Sequence, residues 1–264
     1  MLIKSCMVTD VGKTRGANQD NFVFADEYNR NFDTRLSLVR TLSLEKDWGV
    51  MFGVFDGVGG DVHGEEAARI AAREFRSPFI TQDMSVELDG RMRRANDCIY
   101  EWGRQFGFPG TTGTVIGAWN ETIHYAHIGD SRIYRFRGDT LFQITNDHTL
   151  AHLKIQAGIY QSDDPLAKKE SHVLLRCLGA YDNTALLGVE KGKWNAQSGD
   201  RLLICSDGLY DMCDMEVLRE VIAAKDSLTE CASELVNRAL DNGGTDNITV
   251  IVLEFTLDGI RDPL

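Results

Sequence analysis

Five aspartates stand where apolar runs begin or end. Asp56 closes VMFGVF, Asp207 closes RLLICS, and Asp246 comes just before ITVIVLEF. Asp20 precedes FVFA, and Asp130 lies between TIHYAHI and SRIYRFR. None has a basic sequence neighbour to pair with. If a sheet brought these ends together, the carboxylates would repel strongly in a low-dielectric setting. A divalent cation relieves that repulsion, and ligands that are all oxygen select a hard ion: Mg²⁺, Mn²⁺ or Ca²⁺. Taken singly, each aspartate suits a turn equally well. The turn reading weakens because two Asp-Gly pairs, Asp56-Gly57 and Asp207-Gly208, recur in the same strand-to-helix setting. Glycine there lets a backbone carbonyl approach the same ion. The loop TDVGKTRGANQD adds Arg15 and ends at Asp20. A guanidinium beside such a cluster suits a phosphate, whose oxygens it can fork; alone it reads as a surface cation.

Competing chemistries find less support. The loop after Asp56 does not complete G-x-G-x-x-G, since Val62 takes the last position, and Asp56 would repel a pyrophosphate. No G-x-x-x-x-G-K-[ST] occurs. His124 and His127 are three apart on an expected strand, so they face opposite ways. His148 and His152, four apart on an expected helix, have zinc-pair spacing, but read more simply as surface histidines. The six cysteines are scattered with no C-x-x-C pair and read as reduced, mostly buried thiols of a cytoplasmic protein. A net charge of −12 over 264 residues, with no basic run to offset it, argues against nucleic-acid and anionic-membrane partners. No apolar run is long enough to cross a membrane, and the opening MLIKSCMVTD lacks a signal-peptide pattern.

The elements that must position these acids follow from hydrophobic period. Strands are expected at 2–9, 21–25, 48–55, 201–206 and 248–255. Four more, at 112–119, 122–128, 131–137 and 139–145, are separated by short turns and read as one antiparallel meander. Helices are expected at 62–76, 85–106, 214–224 and 227–241, each with an apolar stripe. The Asp56-Gly57 pair could form a hairpin turn, but a helix follows where the second strand would have to be. Residues 27–47 read as a long connection with one short helix, a surface element that modulates access or docks a partner. One domain over 1–264 is expected, with two helical layers covering antiparallel sheets.

With these motifs in order (TDVGKTRGANQD, VFDGVGGDVHGEEA, GTTGT, HIGDSRIYRF, TNDHTL, LLICSDGLYDM and GGTDNITVIVL), the chain resembles the PPM (type 2C) metal-dependent serine/threonine protein phosphatases, bacterial type. The resemblance implies an α+β fold: a four-layer αββα sandwich of two antiparallel β-sheets flanked by helices, with a flap at about 149–184. It implies hydrolysis of phosphoserine and phosphothreonine by a dinuclear Mn²⁺ or Mg²⁺ centre that activates a bridging water, with no phosphoenzyme. By position, Asp56 would bridge the metals, Gly57 would lend its carbonyl, and Asp207 and Asp246 would complete the first shell of one ion. Arg15 would bind the substrate phosphate, Asp20 would hold a metal water, and Asp130 matches the aspartate of a third ion. Gln19 stands where many relatives carry Glu; its amide still suits a water-mediated contact. Val58 stands where animal members carry a histidine proposed as general acid. Phosphoprotein substrates, a cognate Ser/Thr kinase and a monomeric cytoplasmic enzyme are implied. The alternatives are a phosphatase dedicated to one regulator, of the sigma-factor antagonist type, and a pseudophosphatase binding module.

Overall fold

The structure, a computed structural model, describes residues 1–58, 63–107 and 109–257. Its elements in chain order are β1 Leu2–Asp10, β2 Asp20–Phe24, β3 Arg35–Ser43, β4 Trp48–Val58, α1 Gly64–Glu74, β5 Phe79–Ile80, α2 Met84–Phe106, β6 Gly110–Thr111, β7 Gly113–Trp119, β8 Thr122–Ile128, β9 Arg132–Arg137 and β10 Thr140–Gln143. There follow α3 Leu150–Gln156, α4 Pro165–Glu170, β11 Glu190–Asn195, β12 Arg201–Cys205, α5 Asp207–Tyr210, α6 Met215–Ala224, α7 Leu228–Asp241 and β13 Ile248–Thr256. One sheet runs β10-β9-β12-β13-β1-β3 and the other β11-β8-β7-β4-β2, with β5 and β6 also paired to β4. All these pairings are antiparallel.

Burial on both faces explains why the central strands read as unbroken apolar runs rather than alternating ones. On β4, Val50, Phe52 and Val54 point into the core between the sheets, while Met51 and Phe55 meet α1 and α2. On β13, Ile251, Leu253 and Phe255 enter the same central core, while Val250 and Val252 pack under α6 and α7. Three apolar clusters therefore separate four layers, αββα. The helices keep the periods expected of them, and α2 starts at Asp83, whose carboxylate caps the amides of Ser85 and Val86.

Four expectations need correction. Within 27–47 the structure has no short helix but the nine-residue strand β3, paired along its whole length with β1. Leu36, Leu38 and Leu42 fall on one face at even spacing, and Arg40 in the remaining slot disguises that period of two. The meander is split: β7 and β8 lie in one sheet, β9 and β10 in the other, and the chain crosses at 129–131. β4 does not stop at Phe55 but runs through Asp56 and Gly57 to Val58, because β6 pairs with that end. The strand β11 was not expected, since EKGKWN carries one large apolar residue. The glycine-rich turn at 59–62 and the end at 258–264 lie outside the described residues.

Candidate metal centre and phosphate site

Sheet register brings the first two acids together: Asp20 at the start of β2 lies directly across from Asp56 on β4. Asp20 is buried, and its Oδ2 accepts from Ser206 Oγ and from Thr249 Oγ1, each at 2.7 Å. Those hydroxyls come from the other sheet, just after β12 and on β13, so the carboxylate ties the two sheets together at this end. A second rank stands behind them. Thr249 Oγ1 lies 2.8 Å from Thr9 Oγ1, which accepts from the side-chain amide of the buried Asn18 at 2.9 Å.

The GTTGT segment holds Asp56 by its backbone. The Asp56 amide donates to Thr112 Oγ1 at 2.9 Å, and its carbonyl accepts from the Thr112 amide at 2.8 Å and from Thr111 Oγ1 at 2.9 Å. This leaves the Asp56 side chain free to face the other acids. Gly57 donates its amide to the Gln19 carbonyl, and a Cβ there would sit 2.4 Å from the Gly64 backbone, so only glycine fits. Gly208 is constrained likewise: a Cβ would meet the Asn247 carbonyl at 2.0 Å, which seats Asp207 at the head of α5 beside the Asp246 loop. Asn247 fastens that loop to the Arg15 loop, accepting from the Gln19 amide and donating to the Val11 and Ala17 carbonyls.

Asp130 sits buried in the crossover between the sheets. Its carbonyl accepts from Tyr210 OH at 3.1 Å. The Arg132 guanidinium lies 3.5 Å over the Tyr210 ring and is held by Asp147, with Nη2 to Oδ2 at 2.6 Å. Arg15 reaches the group across 231 residues, donating from Nη2 to Asp246 Oδ2 at 2.6 Å.

The electrostatics follow from the crowding. Burial, and then the charges of Asp207, Asp20, Asp130 and Asp246, push the Asp56 carboxyl well above its ordinary range. Burial pushes Asp20 up to about 7 although its two hydroxyl donors pull the other way. Asp130 is raised by burial and by Asp207. Asp211, one turn after Asp207, is raised to about 6 by burial and by Asp207. His172 brings its Nδ1 to 3.7 Å from Asp207 Oδ2 and its Nε2 to 3.7 Å from Asp211 Oδ2. Its interaction with Asp207 is the chief reason it is raised to about 9. Carboxylates that raise one another's pKa, with oxygen as the donor atom throughout, form a site that fits a hard divalent cation.

Every sequence-derived candidate therefore lies at one end of the sandwich: Arg15, Gln19, Asp20, Asp56, Gly57, Asp130, Asp207 and Asp246. Gln19 donates from Nε2 to Glu65 Oε2 at 3.2 Å. Sequence reasoning missed Ser206, Thr249, Thr112 and Asn247, whose role depends on pairing between distant strands, and Asp211 and His172, which no strand end marks. The His148–His152 reading changes too. His148 precedes α3 and is half-buried rather than a surface residue; it packs against the buried His127 ring at 4.8 Å and accepts from the Gly129 amide. His127 has both ring nitrogens engaged, with Thr114 Oγ1 and the Asn146 carbonyl, and burial pushes it down to about 3. His152 contacts Gln156. All six cysteines are free thiols, four of them buried.

A two-sheet sandwich that gathers oxygen ligands and a guanidinium at one end has the build of a metal-dependent phosphohydrolase. Comparison with known proteins makes that class specific, because the profile of the family described as protein phosphatase 2C matches residues 40–243. The chain belongs to that family and is a protein phosphatase. It is 29% identical over 214 residues to the serine/threonine phosphatase stp of Listeria welshimeri, a match covering 77% of this chain and 84% of that protein. It is 28% identical over 258 residues to the protein phosphatase PhpP of Streptococcus pneumoniae, covering 94% and 95%. Among solved structures, the catalytic domain of the serine/threonine protein phosphatase PstP, in complex with two manganese ions, superposes with a TM-score of 0.78 at 26% identity, covering 96% of this chain and 99% of that one. No described helix is long and apolar enough to cross a membrane.

Proposed function

We propose that this protein removes phosphate from phosphoserine and phosphothreonine in proteins, opposing a Ser/Thr kinase in the cytoplasm, and that it needs two Mn²⁺ or Mg²⁺ ions to do so. The observation that carries the reading is the mutual crowding of Asp56, Asp20, Asp130, Asp207 and Asp246, a repulsion that a bound divalent cation would offset at neutral pH. Asp56, the Gly57 carbonyl, Asp207 and Asp246 would hold the pair, with Asp130 beside Asp207 for a third. The ions would supply the positive charge that lowers the pKa of a water and neutralises phosphoryl oxygens.

The chain's own groups do the rest. Arg15, half exposed and tethered through its tip to Asp246, forks onto the phosphoryl oxygens and orients the phosphorus. Asp20, fixed by Ser206 and Thr249, is an acceptor for a water proton at the site. Gln19 extends that polar wall without adding charge. Val58 offers no proton to the leaving oxygen, so solvent serves that step. The segment 149–184, which carries α3, α4 and His172, forms a flap over the Asp207 side and is the surface a phosphoprotein meets first. The retained acids and Arg15 favour turnover over a binding-only role.

The test is phosphate release from phosphoserine, phosphothreonine and phosphotyrosine peptides, each with Mn²⁺ and with excess chelator. Release from the first two in Mn²⁺ alone is expected. Release from phosphotyrosine only, or from none while the chain melts cooperatively, overturns the proposal.

A further inference from the structure

The outer edge of β3 pairs with nothing among the described residues, and it ends its sheet. Its phase is fixed at both ends. The Leu44 amide donates to the Met1 carbonyl and the Val11 amide to the Thr34 carbonyl, so even-numbered residues face β1. Arg35, Ser37, Val39, Thr41 and Ser43 therefore aim their amides and carbonyls away from the molecule. Natural edges are blunted by short length, charge, proline or a bulge. This one is nine residues long, its register with β1 is unbroken from Arg35 to Ser43, and it contains no proline. Four of its five outward residues are uncharged, and Val39 is 54% exposed. Arg40 Nη1 lies 3.4 Å from the Val39 carbonyl, and the two arginines of the strand make ion pairs within the chain, Arg35 with Asp10 at 3.4 Å and Arg40 with Glu27 at 3.5 Å.

The strand also matches itself. Turned about an axis at Val39, Ser37 falls opposite Thr41, Arg35 opposite Ser43, and Val39 opposite Val39, all with their hydrogen-bonding groups directed at one another. On the inner face Leu36 falls opposite Leu42, and Leu38 opposite Arg40. Arg35, which reaches Asp10 of its own chain at 3.4 Å and stays mostly exposed, comes diagonally to Glu45 on the same face, within reach of a long side chain. We propose that this protein is a two-fold homodimer in which β3 pairs antiparallel with β3 of a second copy, centred on Val39, in place of the monomer the sequence suggested. Such a pairing joins the two six-stranded sheets into one and closes the assembly, leaving no further edge of this kind. It is independent of the reading of the acid site.

Sedimentation of the full chain across the micromolar range tests it. A mass of twice the chain is expected at the upper end. Val39→Lys sets two ammonium groups directly opposite each other and should weaken association at least about tenfold, whereas Val39→Thr should not. At protein concentrations where both are monomeric, melting temperature and aryl-phosphate turnover of Val39→Lys should match the parent, since Val39 is exposed and no part of the acid site. A parent that stays monomeric overturns the proposal and leaves the edge to a different chain or to solvent. A dimer that survives Val39→Lys overturns it too, because the interface then lies elsewhere.

Discussion

Replacing Thr249 by valine keeps the shape of a fully buried β13 residue and removes one hydroxyl. That hydroxyl is one of two donors to Asp20 Oδ2, at 2.7 Å. Thr9, its other neighbour, keeps the Asn18 side-chain amide as partner. A hydrogen bond to a charged group is worth about 1.5–3 kcal/mol, which corresponds to roughly one to two pKa units. Asp20, already at about 7, would move further up. If Asp20 serves the cations in its ionised form, as proposed, the cost of ionising it at neutral pH grows by the equivalent of roughly five- to fiftyfold in affinity. Mn²⁺ titration by calorimetry should therefore show Thr249→Val binding weaker by that factor at pH 7, with the gap narrowing as pH rises. Turnover at saturating Mn²⁺ should recover most of its value. Unchanged Mn²⁺ affinity in a variant that still melts cooperatively would refute the claim that Asp20 serves the metal site.

Arg15→Ala should lower kcat/KM for phosphopeptides by roughly ten- to a hundredfold, from loss of a charge-assisted contact, and should not weaken Mn²⁺ binding; weaker Mn²⁺ binding would make Arg15 a structural partner of Asp246. Metal-free protein should lose stability as pH rises. Asp20 titrates near 7 when folded and near 3.8 when unfolded, so between those values the folded chain holds more protons and stability falls with pH; melting in chelator at pH 5 and pH 8 checks the sign, and Mn²⁺ should raise the melting temperature more at pH 8. Replacing 29–45 by a Gly/Ser loop removes β3 with its inward leucines and should lower the melting temperature strongly. Leu38→Ala alone should cost about 1–2 kcal/mol, measured by denaturant unfolding.

The acid site was legible because its members sit at the ends of strands with unbroken apolar runs, and such runs survive any topology. Asp56, Asp207 and Asp246 needed only that the ends converge. The hydroxyls that hold Asp20 were not legible, because Ser206 and Thr249 look like ordinary strand-end residues until β12 and β13 are paired. The helices were read closely for a similar reason, since an amphipathic stripe is a local property. β3 was missed because Arg40 interrupts its leucines and its outer residues are polar, as an edge strand allows. The split of the meander at 129–131 was hidden as well: a Gly-Asp turn suits a hairpin and a sheet crossover equally, and the difference lies in distant pairing, of β8 with β7 and of β9 with β12.

The most direct test of the account is turnover of an aryl phosphate by the parent and by Asp207→Asn, each followed through one Mn²⁺ titration and then into excess chelator. The parent should gain activity as Mn²⁺ binds and lose it in chelator, while Asp207→Asn should fall by at least roughly tenfold through weakened metal binding and yet melt cooperatively. Full parental turnover in excess chelator, or an Asp207→Asn variant that matches the parent throughout the titration, would contradict it.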